Sequence, residues 1–154
     1  MKPETLKQPR EVQVMDCIFC KIVKGEIPSM KVYEDDRVLG FMDINPVNDG
    51  HLLVIPKAHA ATIREIPEAD FVAVMSAVHK LAHAVQKALN PEGITLMQLN
   101  GAASNQVVPH LHVHIVPRWS GDGLTISRWK LVQGDMDKIK DIAERIRDKV
   151  GSKQ

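Results

Sequence analysis

His110-Leu111-His112-Val113-His114-Ile115-Val116 sets imidazole and aliphatic side chains in strict alternation. Successive side chains of a strand point to opposite faces. The period of two therefore predicts a β-strand with three imidazoles on one side, about 7 Å apart between next-but-one positions, and Leu111, Val113 and Ile115 on the other. Such an apolar back implies a sheet covered on one face by a hydrophobic core. The imidazole front admits three readings. It is a solvated polar face, a metal site that leaves one position open for water, or a nucleophilic site. In the last, a neutral imidazole with a pKa of about 6.5 attacks phosphorus while its neighbours orient it or donate protons.

The residues just upstream, Asn100-Gly101-Ala102-Ala103-Ser104-Asn105-Gln106-Val107-Val108-Pro109, contain no carboxylate. Their small members let backbone approach a ligand, and Asn100, Ser104, Asn105 and Gln106 supply neutral hydrogen bonds. Metal-binding imidazoles usually lean on a carboxylate or carbonyl, so this loop favours an anion site over a catalytic metal.

Working outward, Lys31–Glu34 and residues 37–43 read as a hairpin turned at Asp35-Asp36, and residues 51–55 read as a strand ended by Pro56. Residues 94–99 and 110–116, the latter ended by Pro117, complete five strands. Cys17, Ile18, Phe19, Ile22 and Val23 suit a short helix with Asp16 as N-cap and Gly25 as stop. Between Pro67, in the first turn, and Asn90, the positions Phe71, Val74, Val78, Leu81, Ala82, Val85 and Leu89 form the stripe of a long amphipathic helix. Met136, Ile139, Ala143, Ile146 and Val150 predict a closing helix. The expected fold is α+β: a five-stranded antiparallel sheet with the long helix and the short N-terminal helix packed against it, and the C-terminal helix appended. Residues 1–15 read as a flexible leader and 16–150 as a single domain.

The chain has 154 residues, a formal net charge of +1 and 4% aromatic residues. That balance excludes a broad electrostatic footprint for nucleic acid or an anionic membrane, and it leaves few rings for base stacking. No stretch is apolar enough for a membrane span or a secretory signal, so a cytoplasmic location is expected.

The imidazole motif, with Asn100 and Gln106 before it, resembles the signature of the histidine-triad family of nucleotide-binding hydrolases and transferases. The resemblance extends to Cys17-Ile18-Phe19-Cys20-Lys21-Ile22, Glu34-Asp35-Asp36, Phe41-Met42-Asp43-Ile44 and residues 50–57, and so covers most of Asp16 to Leu124. It implies that His112 attacks the α-phosphorus of a nucleotide ester, anhydride or phosphoramidate, and that water hydrolyses the resulting nucleotidyl-histidine. His114 would contact the phosphate or leaving group, Asn100 and Gln106 the phosphoryl oxygens, and His51 would support the triad together with His110. Asp43 would accept from the ribose hydroxyls, and Ile18, Phe19, Ile22, Phe41, Ile44 and Leu53 would enclose a purine. Taken alone, Asp43 also reads as a turn cap, and the apolar set as plain core. Val107 departs from the pattern, standing where many relatives carry a hydroxyl that bonds the phosphate.

Cys17 and Cys20 hold half of a zinc spacing, with a redox pair as the alternative. Resemblance to bacterial zinc-containing members implies a closed structural site of Cys17, Cys20, His59 and His110, with no organic cofactor. It also implies a homodimer with one continuous sheet. His79 and His83 read as helix-surface histidines, and Trp119 and Trp129 as walls of a pocket or an interface. Two rivals remain: a zinc-dependent hydrolase with the triad as ligands, and a nucleotide-binding module without turnover.

Overall fold

The computed structural model describes residues 16–124 and 133–149. Helix α1 (Ile18–Val23) precedes β1 (Lys31–Glu34), β2 (Val38–Met42) and β3 (Leu52–Pro56). The long helix α2 (Glu68–Leu89), β4 (Gly93–Gln98), a 3-10 turn at Ala102–Ser104, β5 (Val113–Arg118) and helix α3 (Met136–Arg147) follow. The five strands form one antiparallel sheet in the order β1-β2-β3-β5-β4. The expected α+β architecture is present.

Alternation along the central strands sorts their side chains into two layers. Val38, Leu52, Val54, Val113 and Ile115 join Leu111 and the α2 stripe Val74, Ala77, Val78, Leu81 and Val85 in one buried cluster. Their neighbours Leu39, Phe41, Leu53 and Ile55 face the other way, onto Cys17, Phe19, Cys20 and Ile22 of the α1 segment. Each buried aliphatic side chain contributes about 1.5–3 kcal/mol, so both faces of β2 and β3 are held firmly. The site lies on the α1 face.

Several boundaries differ from the sequence reading. Cys17, with extended backbone, is the N-cap of α1 in place of Asp16, and its Sγ accepts from the Cys20 amide at 3.5 Å. Pro67 sits outside α2 as its N-cap, and Asn90 ends the helix in the left-handed region at φ 48°. Residues 110–112 are not strand. The Leu111 amide donates to Ala60 O at 2.7 Å, and ladder pairing of β5 starts at Val113. Pro117 does not end β5, because β3 stops pairing at Ile115. The Pro117 carbonyl faces that side, accepting from Asn48 Nδ2 at 2.9 Å, so the missing N–H leaves no ladder bond unmade there.

Gly50, at φ +85°, turns the chain into β3. That left-handed backbone is one that residues with a Cβ rarely adopt, and a Cβ here would also press on Leu89 Cδ1 and lie 3.0 Å from Pro117 Cγ, so a substitution just before His51 would be strained.

The chain divides after Gly123 into two units, residues 1–123 and 124–154. The second holds α3, whose N-cap Asp135 accepts from the Asp137 and Lys138 amides. Its apolar residues Met136, Ile139, Ile142 and Ile146 are exposed. The leader, Trp129 and Val150 lie outside the described residues. No helix among the described residues is long and apolar enough to cross a membrane.

Candidate active site

A cavity of about 490 Å³ is built on the α1 face of the sheet. Its apolar walls include Ile18, Phe19 and Ile22 from α1, Phe41 from β2, Leu53 from β3, and Ile44 just beyond β2. Ile18 and Ile44 are 46% and 77% exposed, which makes them rim and excludes plain core packing for both. Asp43, His51, His112 and His114 supply polar walls. The tertiary fold thus brings together all six expected base-enclosing residues, the expected ribose carboxylate and three of the four expected catalytic histidines.

The partner of each ring nitrogen fixes the histidine tautomers. His112 Nδ1 lies 2.7 Å from His110 O, and a carbonyl only accepts, so Nδ1 carries the proton and Nε2 keeps its lone pair. His51 Nδ1 accepts from the Val47 amide at 3.2 Å, which puts the His51 proton on Nε2. That proton is donated to His114 Nδ1 at 2.9 Å, leaving His114 with its own proton on Nε2. The rings of His112 and His114 lie 4.9 Å apart, closer than an ideal strand predicts because His112 precedes the paired part of β5. Phe19 packs edge-on to His112 at 5.2 Å.

Burial holds these rings neutral. It lowers the pKa of His112, against the opposing hydrogen bond to His110 O and the Asp43 charge. His114 is lowered to about 4 by burial and by its imidazole neighbours His112 and His51. Burial also lowers His51, with Asp43 opposing. Asp43 divides its labour: Oδ1 accepts from the Asn45 amide at 2.8 Å, the turn cap, while Oδ2 lies 3.7 Å from His51 Nε2.

His110 does not face the cavity. Its Nδ1 lies 3.4 Å from Cys17 Sγ and 3.5 Å from Cys20 Sγ, and His59 Nδ1 lies 3.3 Å from Cys20 Sγ. The four donor atoms fall within 4.8 Å of one another. Sulfur and nitrogen on neighbouring corners of a tetrahedral zinc site are about 3.6 Å apart, so the N···S spacings suit that ion. His110 Nε2 donates to Pro56 O at 2.8 Å, the outer hydrogen bond that frees Nδ1 for a metal. Burial, with Cys17 beside it, pushes the Cys20 thiol up to about 12, and a divalent cation would reverse that shift. The residues therefore fit zinc.

Phe19 packs edge-on to both His110 and His112, at 5.9 and 5.2 Å, so these rings share the α1 side of the sheet, as the alternation predicts, without sharing one pocket. Residues 110–112 leave the strand geometry, so His110 turns to the thiols while His112 and His114 face the cavity. The triad nitrogens accordingly do not converge on one point as a ligand set would. Asp43, His51 and His114 do cluster, but the two imidazoles share a proton and the Val47 amide occupies the far side of His51, which is the geometry of a relay.

Asn100 and Gln106, expected on the phosphoryl oxygens, are bonded to backbone and to Gln98. Asn100 Oδ1 accepts from the Ile63 amide at 2.7 Å, and its amide donates to Gln98. Gln106 accepts from the Gly101 amide and donates to Ala61 O and Val108 O. Both brace the loop, and neither lines the cavity. Met97 and the Val47 amide belong to the site and were not assigned from the sequence, whereas Asn105, read there as one of the neutral hydrogen-bonding residues of the loop, lines the cavity. Only Asn105, an amide five residues before the first imidazole, carried a signal. His79 and His83 are exposed on α2, as expected, with their Nε2 atoms 3.3 Å apart.

A family described as HIT domain matches residues 24–121. The adenosine 5'-monophosphoramidase hnt1 of Schizosaccharomyces pombe is 40% identical over 137 residues, covering 88% of this chain and 99% of that protein. Among solved structures, a member of the HIT family from Bacillus subtilis superposes with a TM-score of 0.83 at 38% identity, covering 90% of this chain and 99% of its own. A zinc-bound histidine triad family protein from Mycobacterium smegmatis has a TM-score of 0.67 at 35% identity, covering 88% and 98%.

The lowered pKa of His114 links pH to stability. The unfolded chain takes up this proton below about 6.5, whereas the folded chain resists it down to about 4. Stability contributed by the neutral ring is therefore complete above that window and declines as pH falls through it. Urea denaturation at pH 7.5 and pH 5 should show the midpoint dropping on acidification, and His114→Asn should make the drop shallower. An equal drop in both proteins would refute the assignment.

Proposed function

The chain belongs to the HIT family, and on that premise we propose that it is a nucleotide hydrolase cleaving at the α-phosphate of a purine nucleotide derivative. A nucleoside phosphoramidate is the favoured substrate, with dinucleoside polyphosphates in the same chemical class. The observation that carries this reading is the unpaired Nε2 lone pair of His112, with its tautomer set by His110 O, at the wall of an apolar cavity. The relative named as an adenosine 5'-monophosphoramidase supports the substrate class.

The base lies between Ile18, Phe19, Ile22, Phe41 and Leu53, with Ile44 at the rim and Asp43 on the ribose hydroxyls. His112 Nε2 forms a bond to phosphorus as the bond from phosphorus to the leaving nitrogen breaks. The departing amine takes up one proton from solvent, and the His114 Nε2–H, aligned by His51, hydrogen-bonds the phosphoryl group or the leaving atom beside it. Water then attacks the nucleotidyl-His112, returns a proton to the site, and releases the nucleoside monophosphate. Neutral imidazoles suit both halves, since a protonated His112 has no lone pair to offer.

Replacing His112 with Asn should lower turnover of an adenosine phosphoramidate by about 10⁴-fold while AMP binding persists. Mass spectrometry of rapidly quenched wild-type enzyme should find the nucleotidyl adduct on the His112 peptide. Unchanged turnover in the variant would discard the mechanism, and a wild-type protein that binds without turnover would favour the binding-module rival.

Cys17, Cys20, His59 and His110 would hold a structural zinc ion, which would fasten α1 to the strand ends and leave the chemistry to His112. Elemental analysis should give about one zinc per chain, lost in a Cys17→Ser, Cys20→Ser double variant. Chelation should lower the unfolding temperature before it lowers turnover at a temperature where the fold persists. Immediate loss of turnover with the fold intact would instead favour the zinc-dependent rival.

The proposal includes a cytoplasmic homodimer. β4 is an edge strand, and Leu96 and Met97 on it are exposed, a surface that a second sheet edge would cover. Sedimentation equilibrium should return twice the chain mass, and a Leu96→Lys variant should shift it toward the monomer. A wild-type monomer at micromolar concentration would remove this part of the reading.

A further inference from the structure

We propose that the side-chain amide of Asn105 is the hydrogen-bond donor that holds the phosphoryl oxygens during transfer to His112. The inference deepens the hydrolase reading and rests on it. A phosphoryl group in this cavity carries negative charge, yet no Lys or Arg lines the walls. The charge must be met by neutral donors. Gln106 and Asn100 are already committed to backbone and to Gln98. Asp43 can only accept, both His51 nitrogens are engaged, and the side chain of Val107, a residue 88% exposed at the wall, offers only methyl groups. Ser29, whose buried Oγ has no partner among the described residues, and Asn45 come from segments flanking β1 and β2, on the Asp43 side of the cavity, and β3 separates those strands from the triad strand. Among side-chain donors beside His114, this leaves Asn105.

Asn105 lines the same cavity as His112 and His114, and its side-chain amide makes no hydrogen bond among the described residues. Its backbone closes the 3-10 turn through a 3.0 Å bond from its N–H to Ala102 O. The residue adopts φ 66°, a left-handed conformation that glycine tolerates best and asparagine next. Asparagine at this position satisfies the turn and also brings a donor to the cavity, which glycine would not.

Asn105→Gly suits the backbone and removes the donor alone, so loss of fold does not confuse the test. We expect it to lower kcat/KM for an adenosine phosphoramidate by about 10- to 100-fold, mainly through kcat. AMP affinity should fall while adenosine affinity stays unchanged, a split that a merely structural role would not produce. Asn105→Asp, which turns a donor into a charged acceptor, should lose at least as much. Asn105→Gly activity within twofold of wild type, Asn105→Asp activity equal to wild type, or parallel losses for adenosine and AMP would each overturn the proposal. Absence of hydrolysis by the wild-type protein would instead overturn the parent reading.

Discussion

Each imidazole has two nitrogens, and the site depends on the one hydrogen bond that commits the first of them in His112. With Nδ1 bound to the His110 carbonyl at 2.7 Å, the ring cannot flip without leaving a buried donor unmatched, a loss of about 1–3 kcal/mol. Nε2 is thereby held as a lone pair. The same residue that supplies this carbonyl spends its ring on Cys17, Cys20 and Pro56 O. His110 therefore joins the thiol corner to the cavity through a single backbone unit.

The sheet makes this possible by keeping its two faces chemically apart. On the α2 side, β3 and β5 contribute only aliphatic side chains to a closed core. On the α1 side, the packing between α1 and the strands stops short of the triad and leaves the cavity. The core supplies rigidity, and the imidazoles inherit positions from strands buried on their other face. Burial of the rings then determines their charge: desolvation outweighs the Asp43 carboxylate for His51, His112 and His114, and all three are shifted toward the neutral form.

Cys17 links local and tertiary structure. It caps α1, as Ser or Asp does elsewhere, and its sulfur also meets His110 across the sheet. Ile18 and Phe19, the next two residues, wall the cavity. The first turn of one six-residue helix thus serves the thiol corner and the apolar slot together, and a helix this short depends on such tertiary contacts to persist.

The alternation of His110 to Val116, the α2 stripe and the apolar runs of β2 and β3 were readable in the sequence because periodicity records which face is buried. The apolar wall, Asp43 and the Cys-His quartet were legible through motif resemblance. The commitments of Asn100 and Gln106 were not, since an amide side chain bonds equally well to a loop or to a ligand, and only the folded path from Ala61 to Gln106 decides between them. Alternation alone does not separate His110 from His112 and His114, because strand period assumes ladder pairing and residues 110–112 have none; the resemblance set His110 with the thiols. Sequence by itself determined the elements and the chemistry available, because side-chain type and spacing act locally. Tertiary structure decided which nitrogen, sulfur or amide faces which partner, because those contacts join residues up to 93 positions apart.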